Sequence, residues 1–149
     1  MDLNFSLKEL RSQLDNKQIS AVELTTAFLD RIKKENSQLN AFITINEQSA
    51  LEQAKKADQY IATPGDNPVL CGIPYAAKDL FCTRGVKTTA GSKILDNYLP
   101  AYNSTVINKL EEQKSVLLGK TNLDQFALGS SGETSAYGPT SNPDRKSVV

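Results

Sequence analysis

The first 62 residues repeat apolar side chains at the spacing of helices that bury one face. In the middle of this region the apolar residues fall within about 80° of one another on a helix, with polar residues opposite. This stripe consists of Ala21, Leu24, Phe28 and Ile32. A later helix over 47–62 gathers alanines on one side, and a short extended piece at 39–45 lies between the two. The pattern predicts a helical arm over residues 1–62.

Two capping boxes indicate where the first two helices begin. In a capping box a serine accepts a hydrogen bond from the amide of a glutamate three residues later, and the glutamate side chain reaches back to the serine amide. Ser6 with Glu9 has this spacing, and so does Ser20 with Glu23. We therefore expect a helix to start directly after each serine.

After a loop at 63–68, rich in Pro and Gly, the apolar residues follow a shorter period. The expected elements are an apolar β-compatible stretch at 69–81, a helix at about 103–113, a strand at 116–118, and a short helix capped by Thr121 and ended by Gly129. This order of strands and helices predicts an α/β core over 63–149 with at least some parallel pairing.

Histidine is absent from all 149 residues. This excludes a Ser-His-Asp triad, a Cys-His pair and any histidine-held metal site within the chain. Acid–base work must fall to Lys, Asp, Glu, Tyr or Cys, or to residues outside the chain. The balance of 17 basic and 17 acidic side chains argues against a dedicated nucleic-acid binder, which usually carries a basic excess on one face.

The two cysteines, Cys71 and Cys82, match neither a redox pair nor a zinc site in their spacing. Both stand in apolar surroundings, so we expect small buried core residues. The first residues lack the layout of a signal peptide, and no apolar run approaches the roughly 20 residues of a membrane span. These features predict a cytoplasmic protein.

The sequence Gly119-Lys120-Thr121 resembles the end of a phosphate-binding loop. Such a loop needs a glycine five positions before the Gly-Lys pair, and Lys114 stands there instead. The residues between are the predicted strand itself. We therefore expect no nucleotide site here.

Lys78 lies in an otherwise apolar stretch and, on an alternating strand, shares a face with Ala76 and Leu80. Two interpretations remain open. A buried Lys78 would have a lowered pKa, and its neutral amine could act as a base near neutral pH. Alternatively, Lys78 marks the point where the strand leaves for solvent.

The hydroxyl-rich segment at 129–135 contains Ser130 and Ser131. On composition alone it is a flexible connector. Its small residues would also let the backbone approach a substrate closely and leave N–H groups and hydroxyls free to bind it.

Taken in order, several motifs resemble the first half of the amidase signature family. They are LCGIP at 70–74, KD at 78–79, TTAGS at 88–92, LGKTNLDQFA at 118–127, GSS at 129–131 and YGPTSNP at 137–143. The arm matches as well, so the resemblance covers essentially the whole chain. It implies an α/β fold in which the helical arm precedes the first strands and helices of a mixed sheet.

The resemblance also implies a Ser–Ser–Lys triad that hydrolyses amides, with Lys78 as the base. Backbone N–H groups of a glycine- and serine-rich loop would stabilise the acyl intermediate. The segment with Ser130 and Ser131 matches one that lines the substrate pocket. In the family, both catalytic serines come after the position of Asn142-Pro143. The first lies in a glycine- and serine-rich run that would begin beyond Val149, and the nucleophile lies further along the chain. The chain is therefore expected to be a truncated N-terminal portion with one catalytic residue of three, inactive alone.

Within the family, the resemblance is nearest to the glutamine-hydrolysing A subunits of tRNA-dependent amidotransferases. It implies glutamine as substrate and B and C subunits as partners. Aminoacyl-tRNA would be handled mainly by the B subunit, with ATP and magnesium, and this chain would hold no metal or cofactor of its own.

Two alternatives remain open: a related amidase that acts on a small amide without tRNA, and a short non-catalytic protein that binds a partner through the arm. For the truncated fragment, the sheet is left with open strand edges, which tend to pair with another chain. We therefore expect self-association through residues 69–81.

Overall fold

A computed structural model describes residues 3–143 of the chain, so the last six residues of the predicted core lie outside the described residues. The helices are α1 (Leu7–Asp15), α2 (Ala21–Leu39), α3 (Glu47–Ala62) and α4 (Thr105–Glu112). The strands are β1 (Phe42–Ile45), β2 (Pro74–Lys78) and β3 (Val116–Thr121). Single 3₁₀ turns occupy Lys93–Leu95 and Gln125–Ala127.

Both predicted capping boxes are present at the starts of α1 and α2. The Glu9 and Glu23 amides donate to the Ser6 and Ser20 hydroxyls at 3.3 and 3.0 Å, and each glutamate carboxylate accepts from its serine amide. The helix starts are therefore confirmed. Asp58 of α3 adds a second cap to α2, because its carboxylate accepts the Ala21 amide at 2.6 Å.

The three strands form one mixed sheet in the order β1-β3-β2. β3 pairs antiparallel with β1 on one side and parallel with β2 on the other. The predicted mixed α/β architecture is confirmed. β1, from the region predicted as the arm, joins the same sheet as β2 and β3, and the division into an arm and a core stays a prediction.

The main core lies where α1, α2 and α3 cover one face of this sheet. Its buried members include Leu14, Leu24 and Leu29 from the helices and Val116 and Leu118 from β3. A smaller cluster on the opposite face joins Ala77 and Leu117 to Ile107 of α4. The sheet is therefore covered by helices on both faces, with the larger apolar area on the side of α2 and α3.

The region around Thr121 differs from the expectation. Thr121 does not cap a helix, because it is the last residue of β3 and pairs with Lys78 and Phe42. The expected helix before Gly129 is reduced to one 3₁₀ turn with Asp124 as its N-cap residue. Phe126 and Ala127 take left-handed backbone angles, with φ of 54° and 59°, which cannot continue a right-handed helix.

The cysteine expectation holds for one residue of two. Cys71 is buried in the main core, while Cys82 is only half-buried, and both are free thiols. Across residues 3–143, the structure contains no helix of the length and apolar character that a membrane crossing needs.

Within the described residues β2 has β3 as its only strand neighbour, so its other edge is open. Beside this edge lies an apolar groove of about 350 Å³ between α2 and the sheet. Its lining includes Phe28, Ile32, Phe42 and Tyr75. Self-association through 69–81 stays a prediction.

Candidate functional site

The carboxyl ends of the parallel strands β2 and β3 lie side by side, since Lys78 pairs with Thr121. The Asp79 amide extends this pairing by donating to the Thr121 carbonyl at 3.0 Å. Loops at 83–92 and 122–138 follow these strands and pack at the same end of the sheet. We call this region, residues 78–92 and 119–138, the carboxyl edge. Ligand sites of α/β sheets are usually found at such an edge.

Lys78 is exposed at the carboxyl edge, and within β2 it shares a face with Ala76, which is exposed as well. Leu80 is also exposed but lies in the turn after β2, so the predicted shared face holds for two of the three residues. Of the two interpretations of Lys78, the structure shows exit into solvent. The Lys78 ammonium makes no hydrogen bond or ion pair within residues 3–143. It is therefore free to meet a group brought to this edge.

The buried lysine of the carboxyl edge is Lys120, whose side chain is 0% exposed. Its Nζ donates to the Phe81 carbonyl at 2.7 Å and to the Thr88 hydroxyl at 2.9 Å, and it lies 3.4 Å from Asp79 Oδ1. Burial lowers the pKa of Lys120, and the neighbouring Asp79 carboxylate opposes that shift. Lys120 lies inside β3, so the residues before it form a strand, as the sequence predicted.

Lys120 is also the functional candidate that sequence reasoning missed. Between its pairs with Tyr75 and Ala76, β3 carries one extra residue, Leu118. This bulge shifts the alternation, so Lys120 pairs with Ala77 and lies on the face opposite to Lys78. One clue was available in the sequence. If the strand predicted at 116–118 is extended by two residues, it includes Lys120, a lysine inside a strand.

Asp79 holds the loop at 88–92 against the end of β2. Its Oδ2 accepts the Thr89 amide at 2.8 Å and the Thr89 hydroxyl as well, and its carbonyl accepts the Ala90 amide at 2.9 Å. Asp79 is 0% exposed, and its Oδ1 has no hydrogen-bond partner within residues 3–143. The Lys120 ammonium is therefore the main compensation for this buried oxygen.

Asp124 organises the loop that contains Ser130 and Ser131. Its carboxylate accepts the Thr134 hydroxyl at 2.7 Å, the Gly132 amide at 2.8 Å and the Thr134 amide at 3.0 Å. These bonds, that of the Thr134 hydroxyl first, lower the pKa of Asp124. Ser130 and Ser131 are exposed on the resulting loop. Their predicted role at a substrate stays a prediction.

Close packing at two glycines keeps these loops together. A Cβ on Gly129 would lie 2.5 Å from the Asp124 Cγ, and one on Gly91 would lie 2.6 Å from the Leu123 carbonyl oxygen. The Gly91 carbonyl accepts the Ala136 amide at 2.8 Å, which joins the 88–92 loop to the end of the 129–138 loop. Ser130 and Ser131 are thus carried by a loop connected to both strand ends.

Two asparagines anchor the segment after Ser135. Asn122 donates to the Gly138 carbonyl at 2.9 Å and accepts the Ser135 hydroxyl at 2.6 Å. Asn40, the left-handed C-cap residue of α2, donates to the Tyr137 carbonyl at 2.9 Å. The chain beyond Pro139 is therefore led back along the C-terminus of α2.

The side chains around Tyr137 form a small charged group at the outer side of this segment. The Tyr137 hydroxyl donates to Asp96 at 2.6 Å, and Lys93 Nζ lies 3.8 Å from the ring centroid. Burial and the Asp96 bond raise the pKa of Tyr137 to about 12. Tyr137 is therefore neutral near pH 7 and serves as a hydrogen-bond donor.

Metal binding has no support at the carboxyl edge or elsewhere in residues 3–143, where no three cysteine or carboxylate side chains cluster around a common point. The exposed polar side chains of the described edge include Lys78, Ser130 and Ser131.

A family model described as Amidase matches residues 23–149. The chain belongs to the amidase family. Among curated relatives of this family, the A subunit of glutamyl-tRNA(Gln) amidotransferase from Saccharophagus degradans is 51% identical over 140 residues. The match covers 94% of this chain and 29% of that relative, within its N-terminal region. The chain thus spans less than a third of the length of the curated amidase relatives it matches.

Solved amidase-family structures show the same fold over nearly all of the chain. The crystal structure of the glutamyl-tRNA(Gln) amidotransferase A subunit from Thermotoga maritima superimposes with a TM-score of 0.73 at 34% identity. The superposition covers 96% of this chain and 29% of the Thermotoga maritima chain. The native peptide amidase from Stenotrophomonas maltophilia gives a TM-score of 0.87 at 28% identity, covering 96% of this chain and 31% of that one.

Proposed function

We propose that this chain is the N-terminal part of the glutamine-hydrolysing subunit of a tRNA-dependent amidotransferase. Such an enzyme releases ammonia from glutamine to convert Glu-tRNA(Gln) or Asp-tRNA(Asn) to Gln-tRNA or Asn-tRNA. The observation that carries the proposal is the 51% identity to the Saccharophagus degradans A subunit, which extends over 94% of this chain. This identity supports the assignment to the A subunit, and the reaction is what we propose.

In this proposal Lys78 is the base of the site. Its amine takes a proton from a serine held by a cis peptide bond, which in turn takes the proton of the nucleophilic serine. The nucleophile then attacks the glutamine amide and ammonia leaves. Lys78 is exposed at the carboxyl edge and has no partner in residues 3–143, so a serine from the rest of the subunit could reach it there.

Ser130 and Ser131 are proposed to contact the substrate rather than to act as nucleophiles. Both are exposed, on a loop whose Gly132 and Thr134 amides donate to the Asp124 carboxylate. The two serines of the relay belong to residues that follow the YGPTSNP motif. We therefore expect the 149-residue chain alone not to release ammonia from glutamine.

The proposed partners are B and C subunits of the amidotransferase, in the cytoplasm. The B subunit would bind the aminoacyl-tRNA and use ATP and magnesium to activate its carboxylate. Ammonia would pass to it from the site that contains Lys78.

A second candidate is hydrolysis of a small amide without tRNA. It is favoured by the TM-score of 0.87 to the peptide amidase from Stenotrophomonas maltophilia, which exceeds the 0.73 to the Thermotoga maritima subunit. The two candidates share the carboxyl edge and the role of Lys78. They differ in whether partner subunits are required.

The experiment is a chimera that joins all 149 residues of this chain to the part of the Saccharophagus degradans subunit beyond the matched region. With B and C subunits present, the chimera should release ammonia from glutamine. Lys78→Met should lower kcat/KM about 10²- to 10⁴-fold, because a general base contributes that much. Lys109→Met, which removes an exposed lysine from α4, is the matched control and should retain full activity.

Full activity of the Lys78→Met chimera would contradict the proposed base. Hydrolysis of a peptide amide without B and C subunits would favour the second candidate. Ammonia release by the 149-residue chain alone would show that the proposed location of the serines is wrong.

A further inference from the structure

The main chain turns back directly after Lys78, and a buried cation holds the end of this turn. The Phe81 amide donates to the Lys78 carbonyl at 3.0 Å, which closes the turn. The Phe81 carbonyl accepts from Lys120 Nζ at 2.7 Å. Lys120 is therefore connected through one residue, Phe81, to the residue whose side chain is exposed at the carboxyl edge.

The same ammonium connects the turn to the loop at 88–92. Lys120 Nζ donates to the Thr88 hydroxyl at 2.9 Å and lies 3.4 Å from Asp79 Oδ1. Asp79 Oδ2 accepts the amide of Thr89, the next residue of that loop, at 2.8 Å. Lys120 and Asp79 thus hold both sides of the junction between Lys78 and the 88–92 loop. We call this group of four residues, Asp79, Thr88, Thr89 and Lys120, the lysine clamp.

Stability alone is a weak reason for a clamp of this kind. Both Lys120 and Asp79 are 0% exposed, and removing two charges from water is unfavourable before any attraction is counted. Replacing such pairs with apolar residues is often neutral or stabilising. What an apolar pair cannot do is fix the Phe81 carbonyl and the Thr88 hydroxyl at hydrogen-bonding distance. The clamp therefore specifies the path of the backbone at the end of β2.

Lys120 acts on Lys78 through the backbone, not through side-chain contact. Ala77, the residue before Lys78, pairs with Lys120 across the strands, so the two lysine side chains leave the sheet on opposite faces. The clamp fixes the residues on both sides of Lys78, because Ala77 is in the β2–β3 ladder and Asp79 and Phe81 are bound as described.

We propose that Lys120 is a positioning residue for Lys78, which uses the lysine clamp to fix the turn at 78–81 so that the Lys78 amine projects in one direction from the carboxyl edge. This deepens the proposed function and rests on Lys78 being its base. The side chain of Lys120 itself takes no part in proton transfer.

Thr88→Val is the most informative change, because it removes one acceptor of the Lys120 ammonium while keeping shape, charge and the ion pair. It also removes the bond from the Thr88 hydroxyl to the Val86 carbonyl within the same loop. In the 149-residue chain, amide hydrogen exchange of Phe81, Ala90 and Phe126 should become about ten- to a hundredfold faster, since a charge-assisted hydrogen bond is lost. Exchange of Leu24 and Ala50, in α2 and α3, should not change. Thr105→Val removes an exposed hydroxyl from α4 and is the matched control.

The order of the Lys78 side chain is measured by NMR after reductive methylation of the lysines with ¹³C-formaldehyde. The dimethylamine signal of Lys78 should shift and narrow in Thr88→Val, while that of Lys109 stays in place. Asp79→Asn combined with Lys120→Met leaves neither charge unpaired and should recover thermal stability lost in Lys120→Met. The Lys78 signal of this double variant should remain shifted, because methionine cannot bind the Phe81 carbonyl.

In the chimera with B and C subunits, Thr88→Val should lower kcat about tenfold and leave KM unchanged, as expected when an interaction serves the transition state and not substrate binding. An unchanged Lys78 signal, or an unchanged kcat in a variant whose exchange is faster, would overturn the positioning role. The proposed function fails by a different result, full activity of Lys78→Met. The two failures are therefore distinguishable.

Discussion

The region predicted as the helical arm, residues 1–62, and the carboxyl edge are stabilised by different interactions. Side chains buried in the arm and its sheet face are almost all apolar, with Leu14, Leu24 and Leu29 at 0 to 2% exposure. At the carboxyl edge, the fully buried side chains include Lys120, Asp79 and Thr89, which meet through hydrogen bonds and one ion pair. Apolar packing tolerates small displacements, whereas hydrogen bonds fix atoms to a few tenths of an ångström. The difference indicates that the arm supplies stability and the edge supplies geometry.

The largest effect on stability is expected from Leu24→Ala in the arm. Leu24 is 0% exposed in the main core, so the change removes buried area and leaves a cavity. The free energy of unfolding should fall by about 2–5 kcal/mol. Urea unfolding followed by circular dichroism measures it, with Leu7→Ala, at a side chain 51% exposed, as the control that should lose far less. A small loss for Leu24→Ala would contradict the view that the arm provides the stability.

A smaller effect is expected from Ser20→Ala, which tests how far the arm depends on polar contacts. The change removes the cap of the Glu23 amide, and a lost cap costs about 0.5–2 kcal/mol. The loss should be near the lower limit, because Asp58 still accepts the Ala21 and Val22 amides at 2.6 and 3.2 Å. Urea unfolding of Ser20→Ala, Asp58→Ala and the double variant measures this. If the double variant loses no more free energy of unfolding than the two single variants together, the two caps do not replace each other.

The smallest effect on global stability is expected from protonation of Asp124 at the carboxyl edge. Its pKa is lowered in the folded chain, mainly by the Thr134 hydroxyl and the Gly132 amide. The ionised Asp124 carboxylate therefore stabilises the fold at pH values above the ordinary pKa of an aspartate. That contribution is lost as the pH falls below about 4 and through the lowered pKa. NMR shifts of the Gly132 and Thr134 amides should follow this titration. At pH 7, Asp124→Asn should shift the same two amides and leave the unfolding midpoint nearly unchanged. Movement of arm amides in step with them would contradict a local effect.

Most of the arm could be predicted from the sequence because its determinants are local. A capping box lies within four residues, and an apolar stripe repeats every turn, so the order of the amino acids is enough to reveal both. The third predicted helix, at 47–62, has the bounds of α3. The mixed sheet was foreseeable from the order of elements, but β1 as the antiparallel neighbour of β3 was not, because strand order depends on contacts between distant residues.

The carboxyl edge was predicted less well for two physical reasons. The bulge at Leu118 changes which face of β3 carries Lys120, and alternation along a sequence does not reveal a bulge. The left-handed angles of Phe126 and Ala127 occur at residues that usually avoid them, so the expected helix did not form. Lys78 was singled out by its motif and its role stays a prediction. Its shared face with Ala76 was foreseeable from alternation, while its burial could not be decided from one strand's pattern.

The placement of β3 has a consequence for how the chain folds during synthesis. β3 is the last strand in the described sequence, yet it lies between β1 and β2 in the sheet. Neither earlier strand can find its partner until Thr121 has left the ribosome, which takes a few seconds after Lys78 at about 5–20 residues per second. Throughout that interval α1, α2 and α3 can pack against one another, while β1 and β2 remain without a strand partner. Early chaperone contact with the nascent chain should therefore concentrate on β1 and β2 and end soon after β3 emerges.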